Sequence, residues 1–170
     1  MSIAENIQKI RAQIDQTAAN CGKNPQNVAL MAVSKFHPVE EIEQAVLAGQ
    51  KLFGENRVQE ACEKFPQLLE KYSDIELHMI GHLQRNKVKD IVKIASCIHS
   101  VDSVELIKEI EKQTAKIDKK MRIFLEIHTG EDTKSGFTSE SDVEDAVEFA
   151  EKGRTNLAVN SEEIIVKNGI

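Results

Sequence analysis

The feature that most constrains this chain is a strand-and-helix alternation repeated five times. Segments rich in β-branched and other apolar residues occupy 28–34, 51–54, 75–80, 97–101 and 121–127, starting roughly 20 to 25 residues apart, an interval that holds one strand, one helix and two short turns. Each gap carries one apolar stripe at helical spacing: Val39, Ile42 and Val46, ending at Gly49; Val58, Cys62, Phe65 and Leu69; Val88, Ile91, Val92 and Ala95; Val104, Ile107, Ile110 and Thr114. Pro66 falls inside the second stripe and should end or kink that helix. A sixth helix is expected over 139–150, with Val143, Ala146, Val147 and Ala150 inward and Gly153 as its stop, followed by a sixth strand over 156–159. Ahead of the alternation, Ser2 and Glu5 form a capping-box signature, Ile3, Ile7, Ile10 and Ile14 share a face, and Gly22 marks the end of a first helix.

Near-continuous apolar strands alternating with helices imply a parallel sheet covered by helices, either doubly wound or a (β/α)8 barrel. In both, chemistry sits at the carboxyl ends of the strands. The residues there are Ser34 and Lys35; Gly54, Glu55 and Asn56; Gly81, His82, Leu83 and Gln84; Ser100, Val101, Asp102 and Ser103; and His128, Thr129 and Gly130. Neither a Walker sequence nor a GxGxxG after the first strand is present, which favours the barrel over a nucleotide-binding sheet. One domain spanning 1–170 is expected.

Composition narrows the function classes. Aromatic residues are 4% of the chain and the net charge is −6, a poor endowment for stacking on single-stranded nucleic acid or gripping phosphate backbones. The basic groups Arg85, Lys87, Lys89 and Lys93, and Lys116, Lys119, Lys120 and Arg122, read as solvated helix faces or turns. Charges at Glu5, Lys9, Arg11 and Asp15 break any signal-peptide core, and no apolar run reaches membrane-spanning length, so a cytoplasmic protein is expected. Cys21, Cys62 and Cys97 lack metal-ligand spacing, and His78 and His82 are separated by Gly81 and strand residues, which spoils a helical metal pair; no metal site is expected.

Lys35 is the residue to explain, because it ends an apolar strand in "LMAVSKFHPVEEI". An ammonium at a barrel mouth with apolar walls beneath it loses hydration, which frees the amine for Schiff-base chemistry with carbonyl compounds. Equally, such a lysine can snorkel into water with no chemical role.

The blocks "LMAVSKFHPVEEI", "FGENRVQEA", "HMIGHLQRNKV", "IHSVDS" and "GEDTKSGF" stand in an order and spacing that resembles the pyridoxal-phosphate homeostasis proteins, themselves similar to the N-terminal barrel of alanine racemase. The resemblance covers about residues 1–140. It implies a fold-type III barrel of the (β/α)8 type that binds pyridoxal 5'-phosphate (PLP), with the cofactor held on Lys35 as an internal aldimine. It further implies a carrier and regulator of PLP balance without an established turnover reaction, and amino acids or PLP-dependent apoenzymes as partners besides PLP.

Around Lys35, Asn56 is suited to orienting a ring substituent, or to capping the next helix. Gly81 lets backbone pass close to a ligand, with His82 or Gln84 lining the mouth, or simply turns the chain into a helix. Ser100 sits at its strand end, while Asp102 and Glu105 look like a capping box. Lys134 matches a family lysine near the cofactor mouth, and reads otherwise as a solvated loop lysine.

The chain departs from the family in two places. His128 stands where the family has an asparagine. The late serine- and glycine-rich segments that hold phosphate in the family, and the late arginine facing the pyridine nitrogen, have no counterpart in "GRTNLAVNSEEIIVKNGI". The expectation is an incomplete barrel of five to six βα units whose exposed edges are sticky unless another chain, or a second copy, covers them. A racemase-like Schiff-base enzyme, with His82 or Lys134 carrying protons, and a relic that binds no cofactor are the alternatives.

Overall fold

The computed structural model describes residues 1–128, 130, 135–152 and 157–159. Its first helix, α1 (Ile3–Asn20), begins where the sequence places it: the Ser2 side chain accepts from the Glu5 amide and the Glu5 carboxylate accepts from the Ser2 amide. The alternation then runs β1 (Met31–Val33), α2 (Val39–Leu47), β2 (Leu52–Glu55), α3 (Val58–Lys71), β3 (Glu76–Met79), α4 (Val88–Ile91), β4 (Cys97–Val101), α5 (Val104–Ala115), β5 (Met121–Leu125), α6 (Glu140–Lys152) and β6 (Leu157–Val159).

All six strands pair in parallel and in strict chain order, β1 to β6. A doubly wound sheet reverses its strand order at a switch point. This sheet does not, so its architecture is that of an incomplete barrel, in which the six carboxyl ends form one continuous rim.

Side-chain alternation divides the sheet into two unlike faces. Phe53, Leu77, Met79, Ile98 and Ile123 point one way and pack with Ile42, Phe65, Leu68, Ile91, Leu106, Ile107 and Ile110 of the helices into a single buried core. The stripes read from sequence are therefore the helix faces that cover this side. On the opposite face, register aligns Gly54, His78, Cys97 and Arg122 in one row across β2 to β5. The same row continues into Val33 on β1 and Ala158 on β6, so polar and apolar side chains share this face.

Local structure departs from the sequence reading at four points. Residues 28–30 lie outside β1: Pro25–Asn27 form a single 3-10 turn capped by the Asn24 side chain, and the Leu30 carbonyl accepts from the Gln50 side chain at 2.6 Å, which also reaches the Leu52 carbonyl at 2.7 Å. Pro66 does not end α3, which runs on to Lys71. The proline is exposed while Phe65 and Leu68 on either side are buried, so the core holds both halves of the helix and the missing amide bond falls on the solvent side. The third stripe condenses to a 3-10 turn, Arg85–Lys87, plus the single turn of α4. Asp102 and Glu105 do not form a capping box: Ser103 is the N-cap of α5 and makes no side-chain cap bond.

Phe65 is fully buried and its ring meets that of Phe53 at 5.9 Å between centroids. Phe65→Ala should cost about 3–5 kcal/mol, read as a fall in the denaturant midpoint with an unchanged m value.

Candidate functional site

The rim is stitched together from strand to strand. The Ser34 amide donates to the Gly54 carbonyl at 3.0 Å, the Ile80 amide to the Glu55 carbonyl at 2.9 Å, and the Glu126 amide to the Val101 carbonyl at 2.8 Å. Between β3 and β4 the link is a side chain: the buried Ser100 hydroxyl donates to the Gly81 carbonyl at 2.6 Å. Gly81 itself presses on the end of β2, where an added Cβ would lie 2.2 Å from the Asn56 carbonyl oxygen and 2.7 Å from its Cα. The close approach that Gly81 permits is thus to the protein's own backbone, and it holds Asn56 in place.

Lys35 occupies a tight turn immediately after β1. The His37 amide donates to the Ser34 carbonyl at 3.1 Å and Phe36 has φ +66°, the pattern of a type II turn with a phenylalanine at the position that favours glycine. Such a residue costs roughly 1–3 kcal/mol and persists only where its surroundings over-determine it. Here α3 supplies the determination. The Glu60 carboxylate accepts from the Phe36 amide at 3.2 Å, and the Lys64 ammonium donates to the Ser34 carbonyl at 3.2 Å. Lys64 also bridges Glu60 at 2.9 Å and Glu55 at 3.2 Å, and Glu55 accepts from the Ser34 hydroxyl at 2.9 Å. Both residues flanking Lys35 are therefore gripped through their backbones, while the Lys35 side chain stands exposed with its Nζ 6.0 Å from the Phe36 ring centroid.

The electrostatics of the clamp follow from burial and pairing. Burial works to lower the Lys64 pKa, but its bonds to Glu60 and Glu55 prevail and raise it, so the clamp keeps its cation. The bond from Lys64, then that from the Phe36 amide, holds the Glu60 carboxyl below its ordinary value. Glu55 is wholly buried and one of its oxygens, Oε2, has no hydrogen-bond partner among the described residues.

Among the residues singled out from sequence, the structure aligns Lys35, Asn56, His82 and Ser100 along the ends of β1 to β4. Asn56 does not cap α3, whose N-cap is Arg57; its buried Oδ1 is without a hydrogen-bond partner among the described residues. His82 is exposed, with Nδ1 3.6 Å from the Asp102 carboxylate, beside a shallow cleft of about 320 Å³ lined also by Arg85 and Ser103. Ser100 spends its proton on Gly81, leaving oxygen lone pairs free to accept. His128 takes the Gly130 amide on its Nδ1 at 3.1 Å. Lys134 lies outside the described residues. Sequence reasoning placed Glu55 at its strand end without giving it a role and missed Glu60 and Lys64; the Glu60–Lys64 spacing of four on a helix was the available signal.

With this geometry in hand, comparison with known proteins is decisive. Residues 3–161 match the family described as alanine racemase, N-terminal domain. The chain is 32% identical over 157 residues to the pyridoxal phosphate homeostasis protein of Escherichia coli K12, covering 91% of this chain and 67% of that protein. This chain belongs to the pyridoxal phosphate homeostasis family. It is also 39% identical over 140 residues to the Vibrio alginolyticus member, covering 81% of this chain and 60% of the relative. The first curated relatives it matches are therefore longer, and the chain spans about three fifths of their length. Among solved structures, PipY of Synechococcus elongatus with PLP bound superposes with a TM-score of 0.80 at 30% identity, over 99% of this chain and 73% of that one. The homeostasis-family fold and the incomplete barrel expected from sequence both stand.

Two outcomes follow from the site. Gly81→Ala should cost about 1–3 kcal/mol or more, because the obstacle is backbone, and should show as a lowered melting temperature. The Glu60 grip on the turn is complete above the ordinary carboxylate range and is lost only as pH falls through the lowered folded value. The Phe36 amide resonance should therefore stay put through the ordinary carboxylate titration and move at more acid pH.

Proposed function

We propose that this chain binds pyridoxal 5'-phosphate and serves intracellular PLP homeostasis, with the cofactor held covalently through the Lys35 amine. The observation that carries the reading is the turn after β1: a single exposed amine on a strained, backbone-clamped loop at the rim of a barrel face. A lysine with no chemical role would not need both neighbours fixed by a partly buried three-residue ion network. The resemblance to PipY, solved with PLP bound, supports the binding of PLP, the coarser part of this reading.

The residues present fit the aldehyde and ring of the cofactor, while the family's phosphate-holding segments have no counterpart in this sequence. Bound PLP supplies an aldehyde that condenses with a primary amine with loss of water, and an electron-withdrawing ring. Lys35 supplies the amine, which must be unprotonated to react. Asn56 supplies a buried, unpartnered carbonyl oxygen, the kind of acceptor that a hydroxyl or protonated ring substituent would satisfy. Ser100 offers lone pairs at a fixed position, and His82 with Asp102 adds an exposed imidazole one strand away. Lys134, outside the described residues, remains part of the proposal as a second amine only through its match to a family lysine. Among the described residues of this set, none forms a nucleophile–base pair aimed at a common point, so a carrier role accounts for the site without turnover.

Borohydride reduction after incubation with PLP, followed by peptide mass spectrometry, tests this directly. A dominant adduct on Lys35 that Lys35→Ala abolishes is the expected result. Absent labelling, or labelling scattered over Lys119, Lys120 and other surface lysines, would overturn it.

A further inference from the structure

The helix-free face of the sheet carries a second cluster that PLP binding does not use. Register sets His78 on β3 directly beside Cys97 on β4, and the two-residue strand period brings His99 to the same side. All three are buried. One donor atom from each lies within 4.8 Å of the others, and His78 Nδ1 stands 2.8 Å from His99 Nε2.

We propose that His78, Cys97 and His99 form a binding site for a zinc-like transition-metal dication, with Nδ1, Sγ and Nε2 as ligands and a fourth position open. Two imidazoles and a thiolate select borderline metals such as zinc or cobalt over magnesium or calcium. At metal–nitrogen bonds of about 2.0–2.1 Å, tetrahedral ligand nitrogens stand roughly 3.3 Å apart. The His78–His99 pair therefore has to open by only about half an ångström. The shared ring proton moves to another nitrogen of its own imidazole, and the Cys97 thiol proton leaves to solvent, so binding releases one proton.

The surroundings accommodate that change. His78 Nε2 lies 3.4 Å from the Arg122 guanidinium and 3.5 Å from the Glu76 carboxylate. It can accept from Arg122 when Nδ1 carries the ring proton, and donate to Glu76 when Nδ1 binds metal. A ligand imidazole whose other nitrogen donates to a carboxylate is the usual outer arrangement of metal sites. Arg122 and Glu76 are also paired with each other, so their charges cancel beside the dication, and both are half exposed and free to adjust. His99 is backed by the Phe124 ring at 4.6 Å between centroids, which limits its swing.

The test uses the full chain with Cys21→Ser and Cys62→Ser, since the first thiol is exposed and the second half-buried on α3. Cobalt(II) should then give one equivalent of tetrahedral visible absorption with a near-ultraviolet thiolate charge-transfer band, displaced by zinc. Cys97→Ser should remove the charge-transfer band, and Glu76→Gln should weaken cobalt binding about 10- to 100-fold at unchanged far-ultraviolet circular dichroism. Nitrogen-15 histidine spectra of the unsubstituted chain give a reading that needs no variant: saturating zinc should place the His78 proton on Nε2. Absence of the charge-transfer band with Cys97 intact, or histidine spectra unmoved by zinc, would overturn the proposal. Neither result depends on whether Lys35 takes PLP.

Discussion

Parallel pairing in unbroken chain order is the constraint on which everything else rests. It brings six carboxyl ends to one rim, and it forces each side chain to one of two faces with no middle ground. The helical side is apolar and closed. The other side is mixed: Glu76, His78, His99 and Arg122 share it with Met31, Leu52 and Phe124. The rim is the boundary between these environments, which is why groups there can be held by buried partners and still reach solvent.

Lys35 shows what that boundary permits. A turn with φ +66° at a phenylalanine is unfavourable in isolation, and Phe36 gains little from its own side chain, which is 73% exposed. The compensation comes from α3, through Glu60 and Lys64 acting on backbone atoms. Lys64 holds Glu60 and is itself anchored to Glu55, whose carboxylate would be expensive to bury without that ammonium. Strain in the turn, burial of Glu55 and the position of Lys35 are thus one coupled arrangement rather than three separate features.

Much of this was legible from residues alone, and the reasons differ by element. The capping box of α1, the five strands and the lysine at the end of β1 each follow from local periodicity or pairing chemistry. Residues 28–30 misled because apolar character is shared by strands and by segments whose carbonyls are taken by a side chain such as Gln50. Pro66 misled because the rule for a proline in a helix is local, whereas the burial of Phe65 and Leu68 that overrides it is not. Asp102 carried a capping pattern, yet its carboxylate instead receives the Ser103 hydroxyl at 3.0 Å and faces His82.

The clamp and the histidine–cysteine cluster were illegible for a deeper reason: both depend on register. His78 and His82 invited comparison because they are close in sequence, but adjacent strands in a parallel sheet pair residues about twenty positions apart. A shift of one residue between β3 and β4 would send Cys97 and His99 to the helical face and replace them with Ile98. What fixes the register is the buried alignment of Met79 with Ile98 and of Ile98 with Ile123 on the opposite side. The apolar core therefore specifies the polar cluster, although the two share no atoms, and only a structure that resolves the pairing could bring those three donors together.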